Sequence, residues 1–183
     1  MCLFFFVTLT VGFTGVRSFM VVALDQLYGM PIIAANTVLT GFMAGSAAGV
    51  LAGGGVADRF GPRIATAAGT LVSAAVLLVL VGSYELPTTA ILVAITLSGA
   101  LQGVLMPSRD LLVRAVTPAG SMGKVMGFLS TGMMISAAAV QPAFGWLMDI
   151  EAARWVFWIS AGFVAAALFS FAGARAASPA PSN

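Results

Sequence analysis

The chain has 183 residues, of which 60% are hydrophobic and 8% charged, with a formal net charge of +2. Soluble domains carry about 25% charged residues, and a mean hydropathy of +1.06 leaves too little polar surface to keep this chain in water, so it reads as an integral membrane protein. A single cysteine, Cys2, and the lack of histidine exclude an internal disulfide, a zinc site and histidine-dependent hydrolysis.

Six apolar runs are long enough to cross a bilayer as helices: Leu3–Gln26, Ala35–Ala57, Ile64–Gly82, Thr88–Leu105, Val125–Met148 and Val156–Gly173. No period-two alternation of the kind a barrel requires is present. The expected class is all-α membrane, a six-helix bundle over residues 1–175 with a disordered cytoplasmic tail at 176–183 (small, polar and proline-containing). Connections are a few residues long, or at most about twenty between the fourth and fifth spans, too short for a soluble domain.

The first span opens MCLFFFVTLTVGF, with no basic leader and no cleavage site, and so is a retained span rather than a secretory signal. It starts abruptly inside a helix, as though another segment precedes it. Arg17 lies well inside this span, where an arginine costs about 2.5–3.5 kcal/mol on insertion scales. Thr10, Thr14 and Arg17 follow i, i+4, i+7 spacing with Ser18 beside them, which makes one polar stripe. One reading is a cavity-facing cation that binds an anionic group on a solute. The other is an arginine that snorkels outward or pairs with Asp25.

The second span carries Gly41, Gly45, Gly49 and Gly53, each four residues from the next. Lipid supplies no hydrophobic drive for helix association, so small residues that allow close backbone approach indicate a packing face. The span closes in GGGVADRFGPR, where Asp58, Arg59 and Arg63 gather in six positions. In the fourth span, Gly99 and Gly103 make a shorter glycine row, and Ser98 and Gln102 are a second intramembrane polar pair. Pro107, and Pro142 in the fifth span, are expected to kink or end their helices. The following MPSRDLLVR places Arg109, Asp110 and Arg114 at the inner face, near Asp58, where a carboxylate among guanidiniums would form a latch that breaks when helices separate. The fifth span holds Gln141 beside Pro142, with Gly145 as a further packing glycine. Phe144, Trp146, Trp155, Phe157 and Trp158 gather at the outer ends of the last two spans, as an interfacial belt would.

With the N-terminus in the cytoplasm, Arg59, Arg63, Arg109, Arg114, Lys124 and Arg175 fall inside and Arg154 alone outside. This is a firm positive-inside asymmetry, with both termini cytoplasmic and the cell membrane as the expected location. The basic residues are thus a topology signal, not a nucleic-acid surface.

Sliding the chain against itself by 91 residues matches Gly12 with Gly103, Gly41 with Gly132, Gly54 with Gly145, Asp58 with Asp149 and Arg63 with Arg154. Three spans separate the copies, so they lie with opposite orientation. Two inverted three-helix repeats are the architecture of secondary transporters.

The stretch GGVADRFGPR resembles the cytoplasmic loop signature of the major facilitator superfamily, roughly G-x-L-A-D-R-x-G-R-R. Gly54, Ala57, Asp58, Arg59, Gly61 and Arg63 match, Val56 stands for the leucine, and Pro62 replaces the first basic residue of the closing pair. The fifth span also resembles the corresponding helix of facilitator efflux proteins through Pro142 and Gly145, with Gln141 where their pattern has glycine. The resemblance implies one six-helix half of a twelve-helix fold, the C-terminal half. It also implies that the first and fourth spans line the solute cavity and that Asp58, Arg59 and Arg63 govern an inner gate.

The function expected is transmembrane transport of a small organic solute by alternating access, with the solute anionic if Arg17 faces the cavity. No cofactor or metal is expected. The partners are the lipid bilayer and a missing N-terminal half or a second copy. Asp25 is the only carboxylate within a helix that could couple protons, so uniport and exchange stand beside coupled transport. A truncated, non-transporting relative that packs against and regulates a partner is the alternative. An enzyme is not expected, because no nucleophile–base constellation can be assembled.

The orientation is checked with single cysteines in a Cys2→Ala background: Glu85→Cys is expected to react with a membrane-impermeant thiol reagent added outside intact cells, and Lys124→Cys only after the membrane is opened.

Overall fold

The structure, a computed structural model, describes residues 2–60, 64–117 and 120–176. Side chains are not described for 2–4, 56–60, 64–68, 108, 109, 112, 115, 116 and 168–176. The helices are α1 (Cys2–Tyr28), α2 (Ile32–Phe60), α3 (Ile64–Ser83), α4 (Thr88–Val116), α5 (Met122–Asp149) and α6 (Arg154–Ala176). At 1.5 Å per residue the shortest, with 20 residues, is about 30 Å long, the thickness of a bilayer's hydrocarbon core. Among the described residues, α1, α2, α4 and α5 contain stretches both long and apolar enough to cross a membrane, while the described apolar parts of α3 and α6 are shorter.

Two expectations about element boundaries change. Pro107 does not end its helix: α4 runs through it to Val116, as α5 runs through Pro142. Residues 109–116 are therefore helical and not part of a long connection, and Arg109, Asp110 and Arg114 lie on an extension of α4. A proline's missing donor is tolerated where neighbouring helices cover the freed carbonyl. Pro107 is covered on one side, because a Cβ built at Gly53 of α2 would fall 3.1 Å from its Cγ.

The repeat is expressed in how the helices pair. The main contacts are α2 with α4, α1 with α6, α3 with α6, α3 with α4 and α1 with α5. Exchanging α1, α2 and α3 for α4, α5 and α6 maps α1–α5 onto α4–α2 and α1–α6 onto α4–α3, and leaves α3–α6 in place. The bundle is two inverted three-helix repeats. The link after the first helix of each repeat turns on a glycine in the left-handed region, Gly29 at φ 57° and Gly120 at φ 84°. These two lie at the same 91-residue offset as Asp58 and Asp149. Gly12 and Gly103 match in sequence only: Gly12 packs on Val164 and Ser160 of α6, whereas Gly103 packs on Ser46, Gly49 and Val50 of α2.

The α2–α4 contact is a glycine zipper from both sides. A Cβ at Gly45 or Gly49 would run into the carbonyl oxygen of Thr96 or Ala100, and one at Gly99 or Gly103 into that of Phe42 or Ser46. Gly41 lies against the Thr96 side chain, and a Cβ at Gly53 would fall 2.7 Å from Val104 Cα. The mate of this contact, α1–α5, uses a different device: the Phe144 ring fills the space above Gly15. Phe144 and Phe157 are buried, so they belong to the core. Trp146, Trp155 and Trp158 remain exposed. Gly145 makes no packing contact, since a Cβ there would meet nothing within 4 Å, and Pro142 is exposed.

Gly49→Leu is expected to force α2 and α4 apart and to cost at least about 3 kcal/mol. Gly145→Ala is expected to raise stability by about 0.5–1 kcal/mol by restricting the unfolded chain at a site with open space. Thermal unfolding of the purified protein in detergent measures both.

Candidate functional site

α1 and α4 scarcely touch, and a cleft of about 210 Å³ lies between them. It is lined by Leu9, Thr10, Phe13, Thr14 and Arg17 of α1, Gln102, Leu105 and Met106 of α4, and Met133 of α5. The lining of α1 follows from helical periodicity: residues 10, 14 and 17 share one face, and 9 and 13 flank it. α4 is held in position from behind, where its glycines lock onto α2, which turns Gln102 and Met106 toward α1.

The cleft gathers Thr10, Thr14, Arg17 and Gln102. Arg17 is exposed and Thr14 and Gln102 are half-buried. Among the described residues, none of these three has a hydrogen bond or ion pair within the protein. Arg17 and Asp25 form no ion pair with each other. The Thr10 hydroxyl is already committed, donating to the Phe6 carbonyl one turn back (2.8 Å).

Ser98 and Ser18 are not in the lining. Ser98 is fully buried, with its hydroxyl unpartnered among the described residues. It lies one turn from Gln102, on the side of α4 turned into the bundle. Ser18 accepts a hydrogen bond from the Gln141 amide of α5 (3.1 Å), so the polarity at 18 and 141 serves a contact between helices. Gln26 extends this seam by donating to the Met148 carbonyl (3.2 Å). The Tyr28 hydroxyl reaches the carbonyls of Val81 and of Tyr84 (2.9 Å to the latter) and ties the outer end of α1 to α3.

Phe13, Met106 and Met133 are lining residues that the sequence reading did not single out. In an apolar span they carry no pattern that separates a cavity wall from a lipid-facing or core position. The backbone of α2 carries Asp58 and Arg59 and that of α4 carries Arg109, but these side chains are not described, and Gly61 and Arg63 lie outside the described residues. Asp110 is half-buried and Arg114 exposed. Gly54 meets no neighbour within 4 Å. Among the described residues no group of His, Cys, Asp and Glu could hold a metal ion.

A membrane bundle of two inverted repeats, with a half-polar cleft between the first helix of each, is the build of a secondary transporter's solute-binding half. The sequence profile of the Major Facilitator Superfamily matches residues 2–183, and the chain belongs to that family. Its members are transporters rather than enzymes. No curated protein matches the chain.

In a Cys2→Ala background, Arg17→Cys is expected to react with a hydrophilic thiol reagent and Ser98→Cys to stay unmodified in the folded protein. Labelling rates followed by mass shift separate the two.

Proposed function

We propose that the chain moves a small organic solute across the membrane by alternating access, with the α1–α4 cleft as one wall of the solute site and Arg17 as the cation that holds an anionic group. The single observation that carries this is Arg17: a guanidinium kept within a membrane span, lining a cleft and without a partner among the described residues. Intramembrane ionisable residues are costly and mark solute or ion paths. An opposing wall completes the cavity, supplied by a six-helix N-terminal half or by a second copy. The bundles rock about the midplane site, and Asp58, Arg59, Arg63, Arg109, Asp110 and Arg114 form the charge network that opens and closes at the cytoplasmic face. Both termini lie in the cytoplasm, and the protein resides in the cell membrane.

The test is flux of radiolabelled acidic solutes in proteoliposomes. Arg17→Ala is expected to lower flux by about a hundredfold, in line with the loss of one partner of a desolvated charge pair, while the unfolding temperature holds. Unchanged flux in that variant, or no flux of any solute by the wild-type chain, would count against this reading.

A further inference from the structure

The cleft has a polarity gradient along its length. The Gln141–Ser18 hydrogen bond sets residue 141 of α5 level with residue 18 of α1, and the Tyr28–Tyr84 contact brings the outer end of α1 beside the segment that leads into α4. Counting inward at 1.5 Å per residue, Gln102 stands about one turn below Arg17, and Met106 and Met133 about two turns below it. The outer pole offers the five donors of the Arg17 guanidinium, the Thr14 hydroxyl and the Gln102 amide, none of them paired among the described residues. The inner pole offers two thioethers and the Phe13 ring, and Thr10, though near it, has its hydroxyl turned to its own backbone.

We propose that the cleft selects a small amphipathic monoanion, an aromatic monocarboxylate. Its carboxylate sits bidentate on Arg17, and its ring points inward against Met106, Met133 and Phe13. This rests on reading the cleft as a solute site. A guanidinium fork matches a carboxylate's two oxygens, and thioethers make favourable contacts with aromatic rings. With Arg17 the only cation among the described residues of this wall, a second charge on the solute would face methionines here without a partner, which disfavours dicarboxylates and phosphates. A sugar would leave its hydroxyls unpaired at the inner pole. An organic cation would meet Arg17 with no lining carboxylate to offset it.

Binding to the purified full chain in nanodiscs, read by calorimetry, tests the class with hydrocinnamate, its neutral amide, propionate, succinate, glucose and benzylamine. Hydrocinnamate is expected to bind at least about tenfold more tightly than propionate or succinate, the ring adding buried apolar area. Arg17→Gln is expected to weaken hydrocinnamate about a hundredfold, to the level of the amide, and to leave the amide's own affinity unchanged. Met133→Gln is expected to weaken hydrocinnamate but not propionate. A thermal unfolding scan of each variant confirms that it is folded. Preference for succinate, glucose or benzylamine, no binding of hydrocinnamate, or hydrocinnamate binding insensitive to Arg17→Gln overturns the proposal. Hydrocinnamate binding with the expected pattern but without flux keeps the ligand class and removes the transport function. Flux of a neutral or cationic solute that ignores Arg17→Gln does the reverse.

Discussion

The close approach of α2 and α4 is the contact on which the rest of the bundle depends. In lipid, two helices gain nothing by hiding apolar surface from each other, because the tails around them are equally apolar. What remains is dispersion between atoms brought closer than ordinary side chains allow. Gly45 and Gly49 on one helix and Gly99 and Gly103 on the other bring backbone against backbone over about two turns. Because α2 and α4 come from different repeats, this zipper joins the two halves of the pseudo-symmetric unit. It also fixes the rotation of α4 about its axis: with Gly99 and Gly103 against α2, Gln102 and Met106 turn toward α1.

The two-fold mate of that contact is built differently. α1 and α5 meet through the Phe144 ring over Gly15, a stack of Phe19 on Phe144 with centroids 6.1 Å apart, and the Gln141–Ser18 and Gln26–Met148 hydrogen bonds. α5 has few contacts with α6 and otherwise rests on α1. An apolar groove opens between them, lined among others by Ile135, Ala139 and Phe163. One repeat thus clamps its second helix by backbone contact and the other holds it by an aromatic plug and two side-chain hydrogen bonds. The symmetry of the sequence repeat sets the topology, and the side chains set how tightly each interface is held.

The cleft follows from the same arrangement. α2 draws α4 aside and α6 draws α1, so the two cavity helices are each supported from behind and do not close on one another. The gap leaves Arg17 without a partner among the described residues, within a span where a partnerless cation is expensive. The hydroxyls of Thr10, Thr37, Thr40 and Thr131 all turn back to carbonyls four residues earlier. Polar residues in these spans are therefore not all available to a ligand. Thr14 and Gln102 differ from them in being unspent.

Much of this was legible in the sequence, for definite reasons. Hydropathy over about 20 residues reports spans because no backbone can cross hydrocarbon unless it is helical or in a closed barrel. Four-residue spacing of glycines reports a packing face because it matches the helix period, and a threonine–arginine stripe reports a shared face for the same reason. The sequence could not decide which helix each face meets. Gly145 has the composition of a packing glycine and faces open space. Gly12 and Gly103 align and pack on non-equivalent neighbours. Ser98 and Ser18 look like cavity residues, yet one is sealed inside and the other serves Gln141. Met133 enters the cleft from a helix whose sequence gives no sign of it. The helical class, the inverted repeat and the place of Arg17 in α1 were set by local chemistry and could be read in one dimension. The glycine zipper's partner, the depth of α4 and the membership of the cleft depend on rotations of helices about their axes, and only packing in three dimensions decides those.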